Sequence, residues 1–158
     1  MACPYVLLYR AMACPYFYPT ARLDQGSWVV PPRLPLGDAH AGECRVPTGE
    51  SCSNEARPDE LHVREVCNSG YGGGRCGRFP QNAPADAVRF HIVKDKKTLI
   101  RIQYVLEKDC WPVQHGVAEF VSATREIRGV DNVVLRAQAA AFVESYLRRK
   151  NQMLANTA

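Results

Sequence analysis

Apolar Val88, Phe90 and Ile92 alternate with polar Arg89 and His91, and then Val93, as in a half-buried strand. The polar turn Asp95-Lys96-Lys97 follows, and then a second run in which Ile100, Ile102, Tyr104 and Leu106 share one face. Two such runs joined by a short turn predict a β-hairpin. A third strand is expected over 117–121. Beyond Asp131, read as an N-cap, Leu135, Ala139, Phe142 and Tyr146 recur at helical spacing. The pattern predicts an amphipathic helix to about residue 150, where Arg148, Arg149 and Lys150 suit the negative end of the helix dipole.

The first half has neither period. Residues 16–49 read as extended loop, with the aromatic run Tyr16-Phe17-Tyr18 and a stretch from Trp28 through Pro31, Pro32 and Pro35 that suits only extended or polyproline-like backbone. A short helix is predicted from Pro58 to about Cys67, with Asp59 and Glu60 at its positive end and Asn68-Ser69-Gly70 stopping it. The fold class expected is therefore α+β. A small antiparallel sheet (the hairpin plus a third strand) and a C-terminal amphipathic helix carry a loop-rich, cysteine-bearing N-terminal half. The expected organisation is a single domain over 1–158, with 13–84 as a loop-rich metal-binding half and 85–150 as the α+β core half. Met1-Ala-Cys-Pro-Tyr recurs as Met12-Ala-Cys-Pro-Tyr, so residues 1–12 are read as an N-terminal extension.

Six of the seven cysteines precede Pro80, in the half least able to bury apolar surface. Such a segment needs cross-links or a metal centre to order it. The N-terminus has no basic region ahead of its short apolar run, and no segment reaches the length of a membrane span, so a cytoplasmic location is expected. Thiols there stay reduced and more often bind metal than form bridges. The odd cysteine number also fits a full disulfide framework poorly.

Cys67 and Cys76 form the strongest pair, flanking a loop with glycines at 70, 72, 73, 74 and 77. Glycines let backbone approach a bulky centre and turn N–H groups toward the sulfides of an iron–sulfur cluster. Arg75 and Arg78 add positive field. Cys14-Pro15 has the proline that stiffens the exit from a cluster ligand, with Tyr16, Phe17 and Tyr18 as an aromatic shield, and Cys44 follows the turn glycine Gly42. Cys14, Cys44, Cys67 and Cys76 are thus the expected ligands of an iron–sulfur centre, with a 4Fe–4S cluster favoured over 2Fe–2S, in a redox, sensing or structural role. Cys52 is an alternative to Cys44. Cys3 is accessory, and Cys110 is expected as a packed or surface thiol.

No Cys-x-x-Cys occurs, which excludes a thioredoxin-type pair and a two-knuckle zinc ribbon. Zinc with irregular spacing remains the alternative, with His40 or His62 joining the thiolates in a structural interaction module that contacts nucleic acid. His62 is otherwise the expected outer-shell donor, His91 a solvent-facing residue, and Asp38 with His40 a loop acid–base pair. The chain carries 20 Lys and Arg against 16 Asp and Glu, a formal net charge of +4. That is too mild for a nucleic-acid footprint. The basic face of the hairpin suits an acidic redox partner protein.

Overall fold

The structure is a computed structural model, and it describes residues 12–23, 34–47, 58–69 and 74–157. Strands β1 (Phe17–Arg22) and β2 (His40–Cys44) pair antiparallel, a one-turn helix α1 (Glu60–His62) runs into a π turn (Val63–Cys67), and strands β3 (Ala87–Asp95), β4 (Leu99–Lys108), β5 (Trp111–Val121) and β6 (Glu126–Arg128) precede helix α2 (Val133–Asn156). The chain is mixed α+β with two antiparallel sheets. The second is a four-stranded meander in the order β3-β4-β5-β6.

The expected hairpin is β3 and β4, with Phe90 opposite Tyr104 and Ile92 opposite Ile102. The sheet differs from its prediction in extent. The third strand begins at Trp111 rather than 117, and β6 adds a fourth, with Ile127 opposite Phe120. The early part of β5 hides because Trp111, Val113 and His115 are exposed, so no apolar alternation marks it. The inner face carries Ile100, Ile102, Ala118 and Phe120, all buried in one cluster with Leu135, Ala139 and Val143 of α2 and with Ala13, Phe17 and Cys67 of the first half. Asn132, not Asp131, caps α2: its side-chain oxygen accepts from the N–H groups of Val134 and Leu135 at 3.0 Å each. The helix continues six residues past Lys150, to Asn156.

The loop-rich half also contains a sheet where only extended loop was expected. Pro19, in β1, sits at a break in register against β2, where its missing N–H costs no ladder bond. Opposite it lies Gly42, where a Cβ would come within 2.5 Å of the Phe17 ring.

Polar groups on α2 tie this half down. Asp38, 1% exposed, accepts from Ser145 Oγ at 2.9 Å and from Arg148, whose Nε reaches Oδ2 at 3.1 Å. The guanidinium of Arg149 donates to the Gly37 carbonyl. Gly37 has φ of +84°, and a Cβ there would lie 2.7 Å from Ser145 Cβ. Gly37→Ala is expected to destabilise the protein by about 1–3 kcal/mol through backbone strain and this clash; a urea midpoint equal to that of the unsubstituted chain would contradict it. The expected Asp38–His40 acid–base pair does not form through side chains: His40 Nδ1 meets the backbone oxygen of Asp38 at 3.0 Å, and the carboxylate turns to α2.

Candidate metal centre

Each of the four expected ligands reaches the same place by a different local device. Ala13 pairs with the start of β3 through two backbone bonds to Val88, of 2.7 and 2.8 Å, which fixes the chain just before Cys14. Pairing of β1 with β2 sets Cys44 opposite Phe17. Cys67 ends the π turn, and Cys76 follows in the loop. Asn68 joins the turn to the sheet. Its side chain accepts from His40 N at 2.9 Å and donates to His40 O at 2.8 Å and to Val63 O at 2.9 Å. The buried amide thereby reads the backbone of β2 in both directions and holds Cys67 beside it. In the sequence Asn68 is indistinguishable from a helix-stopping residue.

Cys14, Cys44, Cys67 and Cys76 all line one pocket, with Tyr16, Phe17, Val46, Pro58, His62, Val66, Arg78 and Phe79 completing its wall. All four are free thiols. Their mutual proximity registers electrostatically. Burial pushes the Cys67 thiol up to about 12, and any charge on Cys14, Cys44 or Cys76 pushes it further, with Arg78 opposing. Burial likewise raises Cys14 to about 11; Cys44 and Cys76 add to the rise, and backbone N–H groups of Tyr16 and Phe17 at its sulfur work against it. Thiols held neutral in this way are poor nucleophiles. Thiolates crowded here require a positive centre among them to be stable. Among the described residues, no three His, Cys, Asp or Glu side chains close tightly enough to hold a single metal ion. The four thiols line one pocket together.

No family model, curated protein or solved structure matches the chain.

The surroundings refine several expectations. His62 Nε2 lies 3.3 Å from Cys76 Sγ, so its imidazole serves Cys76 and not Cys67, its neighbour in sequence. Asp59 orients it by capping α1, accepting from His62 N at 2.7 Å. The aromatic shield is Tyr16, Phe17 and Phe79, with the Tyr16 and Phe79 rings edge-on at 5.5 Å. Tyr18 is not in it: strand alternation turns it away, and Arg45 stacks on its ring at 3.7 Å. Arg78 lines the pocket, whereas Arg75 donates to the Glu65 carbonyl at 3.1 Å. Gly74 and Gly77 approach nothing, since a Cβ on either would meet open space. Gly70, Gly72 and Gly73 lie outside the described residues, as do Cys3 and Cys52. Cys110, expected as a packed or surface thiol, is instead disulfide-bonded; it sits in the β4–β5 turn with φ of 68° and does not line the pocket. His91 is exposed on β3.

Proposed function

We propose that the chain binds a cysteine-ligated iron–sulfur centre, with Cys14, Cys44, Cys67 and Cys76 as its ligands and a 4Fe–4S cluster favoured. One observation carries this reading: four free thiols from four separate segments line a single pocket. A zinc ion with Zn–S bonds of about 2.3 Å draws its sulfurs to a point. A 4Fe–4S cluster takes one thiolate on each of its four irons, so four cysteines lining one pocket match its ligand count. When bound, such a group supplies one-electron exchange and a cross-link. The protein's own part is to hold the thiolates apart, exclude water with Tyr16, Phe17 and Phe79, and offset negative charge with Arg78 and the imidazole of His62. The cross-link role follows from topology, because the four ligands belong to segments with little core of their own.

The zinc reading draws its support from His62 beside Cys76, a mixed thiol–imidazole set. Anaerobic purification followed by iron, zinc and acid-labile sulfide analysis separates the two. We expect a brown protein holding iron and sulfide in equal amounts. A colourless protein with one zinc per chain and no sulfide would replace the cluster with a structural module.

Reduced thiols favour a compartment such as the cytoplasm; the disulfide at Cys110 is the feature at odds with it. No described helix is long and apolar enough to cross a membrane. For an acidic partner, the exposed Lys94, Lys96 and Lys97 offer positive charge. Lys94 stands about 20 Å along β3 from Val88, at ~3.3 Å per residue, and Lys96 and Lys97 follow just past the end of the strand. A partner docked there would therefore meet the end of the sheet away from Ala13 and Cys14.

A further inference from the structure

Gln138 is fully buried in the middle of α2, where the helical stripe calls for an apolar residue. Its amide nitrogen donates to two carbonyls of one turn, those of Cys14 and Phe17, at 2.7 Å each. Its oxygen has no partner among the described residues. A buried amide with an unmatched oxygen costs stability that leucine or methionine would not. The return on that cost is geometric.

The turn it grips is otherwise weakly closed. Pro15 has no N–H, and the single backbone bond across the turn runs from Phe17 N to Cys14 O at 3.1 Å. Arg45 N holds the Tyr16 carbonyl at 2.8 Å, and Ala13 is fixed to Val88. With Gln138 on the carbonyls at both ends, those of Cys14, Tyr16 and Phe17 are all held, and the N–H groups of Tyr16 and Phe17 face the Cys14 sulfur. Donors of this kind stabilise a ligated thiolate.

We propose that Gln138 is a positioning residue for the metal centre: by gripping the carbonyls of Cys14 and Phe17 it holds the turn that presents the Cys14 thiolate to the pocket. The proposal rests on the iron–sulfur reading for its purpose, though not for its geometry. The test compares Gln138→Leu and Gln138→Met with the unsubstituted chain in two measurements. After anaerobic loading with ferrous iron and sulfide, both variants should lose iron to a chelator about 10–100-fold faster, while thermal melting of the metal-free chains stays within a few degrees. In the metal-free chains, iodoacetamide labelling followed by peptide mass spectrometry should show Cys14 reacting several-fold faster, with Cys44, Cys67 and Cys76 unchanged. An unchanged Cys14 rate in both variants overturns the proposal. Equal acceleration at all four thiols also overturns it, since Gln138 would then support the fold and not the turn. If the unsubstituted chain takes up no iron and sulfide, the cluster reading falls, and the labelling measurement still decides whether Gln138 sets Cys14.

Discussion

Cys67→Ser is expected to leave the purified protein with less than about a tenth of its iron and sulfide, the largest single loss among the four ligands. Cys67 is the most buried of them, at 8% exposure, and it feels all three other thiols. Serine keeps the shape but is a poor ligand for iron, so a centre held by the remaining three would be open on its inner side. The fold tolerates the change better, because a hydroxyl without a partner in this setting costs about 1–3 kcal/mol. Iron, sulfide and visible absorption on the anaerobically purified variant, beside a thermal melt, separate loss of the centre from loss of the fold. Full retention of iron and sulfide by a folded Cys67→Ser chain would remove Cys67 from the ligand set.

The second large effect concerns stability. Asp38→Asn is expected to cost about 2–4 kcal/mol, since it leaves the Arg148 guanidinium without its buried counter-charge. Asp38 is 1% exposed on its side chain, and Arg148 31%, so the charge that remains is only partly relieved by water. The variant should also change the acid limb of stability. Burial pushes the Asp38 carboxyl up, but hydrogen bonds from Arg148 and Ser145 together with the Arg148 and Arg149 charges outweigh it and set the carboxyl below its ordinary value. Its contribution is present above the unfolded value of about 3.9 and is lost as pH falls through the lower folded value. His40 acts earlier. Burial holds its imidazole below the usual range against the pull of Asp38. Its share of stability is present above about pH 6.5 and declines as pH drops toward the folded value. Urea midpoints from pH 7 to 3 should fall in two stages in the unsubstituted chain. In Asp38→Asn the lower stage should shrink, leaving the part carried by Asp95, whose carboxyl the hydrogen bonds from Lys150 and Tyr146 also hold low. An undiminished fall below pH 4 in that variant would assign the acid step to other carboxylates.

The hairpin was legible because its periodicity is strict: the residues at 88, 90 and 92 face the same core as those at 100, 102 and 104. The start of β5 was not, because Trp111, Val113 and His115 face solvent and carry no inward signal. β1 and β2 were illegible for a different reason. Pro19, Gly42 and the irregular register leave a strand pair that local composition describes as loop. In α2, an apolar stripe was expected at Leu135, Ala139, Phe142 and Tyr146; the residues at full burial include Gln138 and Ser145, whose polar atoms serve distant segments.

The chain's own residues determined which thiols to ask about, and that the half bearing them lacks a core of its own. Spacing in a sequence records neighbours along the chain, and four cysteines drawn from turn, strand, helix end and loop have no shared spacing to record. Only the tertiary structure decided that they line one pocket, that His62 meets Cys76, and that Asn68 and Gln138 bond to two of the cysteine-bearing segments. The hydrogen bonds of Asn68 to His40 and of Gln138 to Cys14 and Phe17 join residues 28, 124 and 121 positions apart, and the free energy of such a contact exists only once the sheet and α2 have brought the partners together.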